Sequence, residues 1–128
     1  MQRAARGAPS AARLRAWARA AAASGAEVTL RVVGAAEGRL LNRAFRKRDY
    51  ATNVLSFSYS RTHGDIVLCH PVIAREARAQ GKTLAAHYAH LVVHGMLHLR
   101  GLRHGRRMER REITLLARLG VGDPYTVE

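Results

Sequence analysis

The sequence predicts a small, single-domain α+β fold with a three- to four-stranded sheet packed against about five helices. Three observations carry this. Stretches with the two-residue apolar period of strands alternate with stretches of helical period, no repeat, low-complexity tract or long linker separates them, and 128 residues suffice for one core but not two. Residues 1–128 are accordingly read as one domain. The metal-ligating residues described below fall on the longest helix and the turn that follows it.

The elements follow in chain order. The first six residues add an edge strand. Ser10 can cap a helix over residues 11–24 that Gly25 closes, with Leu14, Trp17 and Ala21 at the i, i+3, i+7 spacing of a buried stripe. The acid-free, arginine-bearing start of the chain also has the composition of a transit peptide, but the apolar stripe favours a domain element. Val28, Leu30 and Val32 alternate with Thr29 and Arg31 as a strand with one buried face. In the next helix Leu40, Leu41, Ala44 and Phe45 form the expected apolar stripe. Arg43, Arg46, Lys47 and Arg48 gather at its C-terminal end, where the helix dipole favours cations. Two strands, residues 53–59 and 65–69, lie close enough to form a hairpin. Pro71 suits the first position of a helix reaching Gln80, which Gly81 stops. Thr83 caps a longer helix to about Arg100, broken by Gly101, and a last helix covers residues 108–119, ended by Gly120.

Charge narrows the class of partner. There are 22 Lys plus Arg against 9 Asp plus Glu, a net charge of +13, and only Lys47 and Lys82 are lysines. The arginine preference fits GC-rich coding, yet the imbalance itself attracts polyanions, RNA or DNA before an anionic membrane surface. No stretch reaches the roughly 20 apolar residues of a membrane span. Cys69 is the only cysteine, which excludes an internal disulfide and a cysteine-rich zinc ribbon and fits a reducing compartment.

Five of the seven histidines fall between residues 87 and 104. His94 and His98 are i and i+4, one helical turn apart on one face, near enough to hold a single metal ion. Gly101 can end the helix and return the chain so that His104 reaches the same ion. Three neutral imidazoles with a free fourth position describe a catalytic rather than a structural zinc site, one that lowers the pKa of water to about 7 and supplies hydroxide. His90 projects about 40° from His94 and His87 about 20°, so both share that face. His90 is read as a group behind the ligands or facing substrate, His87 as a partly exposed structural residue, and His63 and His70 as loop or capping residues. Cys69, ending an apolar strand, is a small core residue. The spacing also matches the protease signature H-E-x-x-H-x-x-G-x-x-H, but Gly95 stands where that signature has its general-base glutamate, which argues against peptide-bond cleavage.

Three blocks resemble the YbeY family of bacterial metal-dependent endoribonucleases, also called rRNA maturation factors. Leu41-Asn42, then Arg46, Arg48 and Asp49, and then residues 52–57 (Thr-Asn-Val-Leu-Ser-Phe) are similar to its LN...R.KD..T(D/N)VLSF segment. Gly64-Asp65-Ile66 matches its GDI. His90, then Val93-His94-Gly95, Leu97-His98-Leu99, Gly101 and His104 match its H..VHG.LHL.GYDH signature.

The resemblance implies a cytoplasmic single-domain α+β endoribonuclease that cuts single-stranded RNA. It also implies maturation of ribosomal RNA, notably the 3' end of the small-subunit RNA, and ribosome quality control. RNA and the ribosome or its assembly factors are then the partners, with no membrane. His94, His98 and His104 carry over as ligands of one ion, usually taken as Zn2+, although imidazoles suit several divalent metals. Arg46 carries over as the arginine of the active cleft, suited to a scissile phosphate. Arg48, Thr52, Ser56 and His90 are the expected substrate-binding residues, and Arg100, Arg103, Arg106 and Arg107 are expected around the third ligand. Two departures stand out. Arg103 replaces the family's aspartate before the third histidine and Leu102 its tyrosine, and the segment after that histidine is short. The alternatives are a basic RNA- or ribosome-binding protein with a structural or decayed metal site, and a metallopeptidase-like hydrolase.

Overall fold

The computed structural model describes residues 2–3, 7–48, 50, 52–60 and 62–125. In chain order the elements are β1 (Gln2–Arg3), α1 (Ala11–Ala21), β2 (Glu27–Val33), α2 (Ala35–Arg46), β3 (Val54–Ser58), β4 (His63–Cys69), α3 (His70–Ala79), α4 (Leu84–Leu99) and α5 (Arg106–Arg118). The sheet order is β1-β2-β4-β3, with β2 parallel to both neighbours and β3 antiparallel to β4. The expected hairpin is present, and its second strand is inserted between the first and β2.

β4 is buried on both faces, which explains its nearly unbroken apolar run. Ile66 and Leu68 join the main core with Leu14, Trp17, Leu30 and Val32, closed from above by Tyr88, Val92 and Met96 of α4. Val67 and Cys69 turn to the other face and pack with Val33, Leu55 and Val72 in a smaller cluster. Cys69 is thus the buried core residue its position implied.

Helix starts follow local chemistry closely. Ser10 accepts from the Arg13 amide at 3.3 Å, Thr83 accepts from the Ala86 amide at 3.1 Å, and Pro71 occupies the first turn of α3. α1 ends at Ala21, earlier than expected, because Ala22 is extended. Arg100 donates to the Ala21 carbonyl at 3.3 Å, satisfying one of the groups a longer helix would have bonded itself. Gly25, with φ +74°, belongs to the turn into β2 instead.

α2 corrects the expectation more sharply. Its buried residues are Gly38 and Asn42, while Leu40 and Phe45 are 64% and 63% exposed. The helix is turned so that Asn42 points inward, where its amide donates to the Tyr50 carbonyl at 2.7 Å and pins the loop beyond the helix. Leu41 packs against the small cluster from its half-buried position, and Phe45 meets Phe57 edge-on at 5.3 Å. Among the described residues no helix is long and apolar enough to cross a membrane.

Candidate metal centre

α4 runs across the sheet and carries His94 and His98 on the turn facing β3. Its C-terminus is a Schellman turn. Gly101, at φ +90°, lets its own amide bond the His98 carbonyl at 2.9 Å and the Leu102 amide bond the Leu97 carbonyl at 3.1 Å. This reversal returns the chain so that His104 faces the helix it has just left, as the spacing predicts. His94 and His98 are half-buried and His104 is exposed.

The three Nε2 atoms converge. His98 Nε2 lies 3.1 Å from Nε2 of His94 and 3.1 Å from Nε2 of His104, and the ligand atoms all lie within 4.8 Å of one another. Two nitrogens held about 2.05 Å from a tetrahedral ion would be separated by roughly 3.3 Å. The donor chemistry agrees with the distances. Nδ1–H of His98 donates to the Leu102 carbonyl at 3.1 Å, and Nδ1–H of His94 donates to the Glu112 carboxylate. With their protons on Nδ1, both neutral rings present bare Nε2 lone pairs to each other, and two acceptors at this distance are held together by a cation, not by a hydrogen bond. Burial and the neighbouring His94 and His104 push His98 below its ordinary pKa, which favours the neutral, ligating form. The residues present therefore fit a divalent ion.

Glu112 on α5 is fully buried. One carboxylate oxygen accepts the hydrogen bond from His94 Nδ1–H, while the other accepts from the Tyr125 hydroxyl and from His90 Nε2 at 3.1 Å. Burial alone would raise its pKa. The hydrogen bonds from His90, His94 and Tyr125 outweigh that and hold it at about 2. The same pairing, together with burial, pushes the Tyr125 phenol well up. His90, His94, Glu112 and Tyr125 thus form a hydrogen-bonded group behind the three Nε2 atoms, in which His90 Nδ1 is the one buried polar atom left without a partner.

In front of them lies an open cleft of about 580 Å3, a volume in the range of small-ligand sites. Arg46, Arg48, Thr52 and Ser56 line it together with His94, His98 and His104, and none of the described lining residues is acidic. Arg46 is fixed twice: Nη2 donates to the Ser56 carbonyl at 3.0 Å, and the guanidinium lies 5.8 Å from the Phe57 ring centre. Arg48 donates to the Tyr50 hydroxyl at 3.1 Å. Gly95 sits where α4 presses on the sheet. A Cβ there would come within 3.0 Å of Ile66 Cδ1 and 3.1 Å of Ser56 Oγ, so any side chain at this position would have to push both aside.

Of the two places read for His90, behind the ligands or facing substrate, it takes the first: its Nε2 turns toward Glu112 and Tyr125, and it is not among the residues lining the cleft, where a substrate-binding group was expected. Other sequence expectations are corrected outright. His87 is buried rather than partly exposed, its Nε2–H donating to Glu76 at 2.9 Å. His63 opens β4 instead of lying in a loop, and His70 begins α3 with Nδ1 2.7 Å from the Tyr88 hydroxyl. Arg100, Arg103, Arg106 and Arg107 do not line the cleft: Arg100 reaches back to α1, and the others are exposed. Asp49 lies outside the described residues. Sequence reasoning missed Glu112, Tyr125 and the loop-pinning role of Asn42. Glu112 had a signal, since Met108, Glu112, Leu115 and Leu116 share one helical face and an acid on that stripe is a buried acid.

Residues 10–120 match the family model for endoribonuclease YbeY. The chain is 55% identical over 125 residues to the endoribonuclease YbeY of Aromatoleum aromaticum, covering 91% of this chain and 81% of the relative. It is 58% identical over 112 residues to that of Bordetella pertussis, covering 80% and 71%. Among solved structures, the solution structure of TM1509 from Thermotoga maritima aligns with a TM-score of 0.63 at 22% identity, covering 91% of this chain and 88% of that one, a likeness of fold.

Proposed function

The chain belongs to the YbeY family of endoribonucleases, and from that premise we propose that it is a single-domain, metal-dependent enzyme cutting single-stranded ribosomal RNA in the cytoplasm. The substrate in this reading includes the 3' end of the small-subunit RNA, with the ribosome or its assembly factors as partners and a role in ribosome quality control. The observation that carries the metal dependence is the convergence of three imidazole Nε2 atoms, two with their protons fixed on the opposite nitrogen, at a cleft whose described lining residues include no acid.

His94, His98 and His104 would hold the ion, with Zn2+ the best fit to an all-nitrogen donor set. When bound, it supplies Lewis acidity and water made acidic enough to act near neutral pH. The rest falls to the chain. Arg46 meets the scissile phosphate with a guanidinium that the Ser56 carbonyl and the Phe57 ring already hold in place, so little side-chain freedom is lost on binding. Arg48 offers a second cation to the backbone, and Thr52 and Ser56 provide small polar walls between the arginines and the histidines. Among the described residues that wall carries arginines and no carboxylate, which favours entry of a phosphodiester.

The test is cleavage of labelled single-stranded RNA, with and without chelator, by wild type beside His94→Ala and His98→Ala. Chelation and either substitution should abolish turnover while RNA binding remains. A His98→Ala variant that cuts at the original rate would sink the mechanism, and steeply salt-dependent binding without turnover by wild type would favour an RNA-binding protein with a decayed site.

A further inference from the structure

Glu112 is the only fully buried acid among the described residues, and its recorded partners there, His90, His94 and Tyr125, carry no permanent positive charge. A carboxylate shielded in this way stays charged through its three hydrogen bonds, and a cation within reach of the same group would favour the anion further. The nearest place for that cation is one imidazole away, on the Nε2 side of His94. Three neutral histidines in turn offer an ion no negative charge at all. We propose that Glu112 is a positioning residue: it locks His94 as an Nε2 ligand and, through that ring, supplies a balancing anion, the only one in contact with a ligand among the described residues. Tyr125 and His90 hold Glu112 in turn.

The clamp is built from three elements. Glu112 comes from α5, His90 and His94 from α4, and Tyr125 from the segment after α5. That segment is tied down by Lys82, whose ammonium donates to the Pro124 carbonyl at 2.9 Å, and by Asp123, which accepts from the Tyr125 amide at 2.8 Å. The Tyr125 ring stands edge-on to His90 with centroids 5.4 Å apart. With both Glu112 oxygens engaged, rotation of the carboxylate away from His94 would break the bonds to Tyr125 and His90 at once. This inference rests on the three histidines being a metal site.

The experiment titrates metal-free protein with Co2+, whose visible absorption reports the ligand field, and with Zn2+ against a competing chelator. Glu112→Gln keeps the shape and removes the charge, and Tyr125→Phe removes only the hydroxyl. Glu112→Gln should weaken both ions by about 10- to 100-fold, and Tyr125→Phe by a few-fold. At a fixed excess of ion, a tenfold loss removes about 1.4 kcal/mol of metal-induced stabilisation, so the rise in Tm on loading shrinks. The metal-free Tm of Glu112→Gln should fall by what the hydrogen bonds from His90, His94 and Tyr125 lose when the anion goes, and the metal-loaded Tm should fall further. Affinities within twofold of wild type in both variants, or equal Tm losses with and without ion, would overturn the proposal in favour of a purely structural Glu112. A wild-type protein that takes up neither ion would remove the metal reading, and this inference with it.

Discussion

Gly64 offers a prediction whose size can be worked from the structure. It pairs with Ser58 across the β3–β4 ladder, directly beneath the last residue of α4. A Cβ there would lie 2.7 Å from the Phe57 carbonyl oxygen and 2.9 and 3.1 Å from the two methyl groups of Leu99. Carbon atoms favour separations of about 3.5–4.0 Å, so all three contacts are repulsive. Leu99 can rotate, but the Phe57 oxygen belongs to the sheet and moves only if the ladder moves. Overpacking of this kind costs about 1–3 kcal/mol, and replacing glycine within a strand returns about 0.5–1 kcal/mol. Gly64→Ala should therefore lose about 1 kcal/mol. That corresponds to a urea midpoint lower by roughly 0.5–1 M and a Tm lower by roughly 3–5 °C. Gly122→Ala, where no atom lies within 4 Å, is the matched control and should stay within about 0.5 kcal/mol of wild type. The ladder also carries the Ser56 carbonyl that anchors Arg46, so RNA cleavage per folded molecule should fall as well. A Gly64→Ala protein melting within about 2 °C of wild type would refute the claim that backbone, not a yielding side chain, is the obstacle.

Two further predictions address the cleft and the buried histidine. Arg46→Ala should cut RNA about 10²- to 10³-fold more slowly at unchanged Tm and lower the salt slope of binding by about 0.7, the loss of one single-strand phosphate contact; unchanged rate and slope would release Arg46 from that role. His87 is pushed below its ordinary pKa by burial, against the opposing pull of Glu76 and with Lys82 and His90 adding to the depression. Unfolded chains then bind more protons between that lowered value and about 6.5, so the stability due to a neutral His87 is present above 6.5 and lost as pH falls through the native value. Urea midpoints at pH 7.5, 6.5 and 5.5 should drop more steeply for wild type than for His87→Gln, and parallel curves would count against it.

What was legible in the sequence was whatever local chemistry decides. Ser10, Thr83, Pro71 and Gly101 announce their ends of helices because capping and reversal need those residue types, and the i, i+4 histidines with a glycine three residues on announce three converging imidazoles for the same reason. What escaped depended on which face the tertiary structure chose to bury. Leu40 and Phe45 form a stripe as apolar as that of α1, yet α2 turns Asn42 inward because the loop carbonyl at Tyr50 needs a donor. His90 shares a helical face with His94, but that face splits: Nε2 of His94 looks toward the cleft, whereas His90 looks toward α5. The arginines after Gly101 are near the third ligand in sequence but outside the cleft in space.

The charge distribution answers a conflict that any metal-assisted phosphodiesterase must resolve. A divalent ion binds more tightly with an anion nearby, while a polyanionic substrate approaches more readily with none. Here the two demands are met on opposite sides of one ring. The cleft wall in front of His94 holds Arg46 and Arg48 and no described acid, so the field a strand meets is positive, as the net charge of +13 already is at longer range. The carboxylate sits behind His94, fully shielded from water, where its charge would reach an ion held by the three histidines only through the imidazole. Moving that acid to the front, as a fourth ligand, would strengthen the ion's hold and repel the phosphate together.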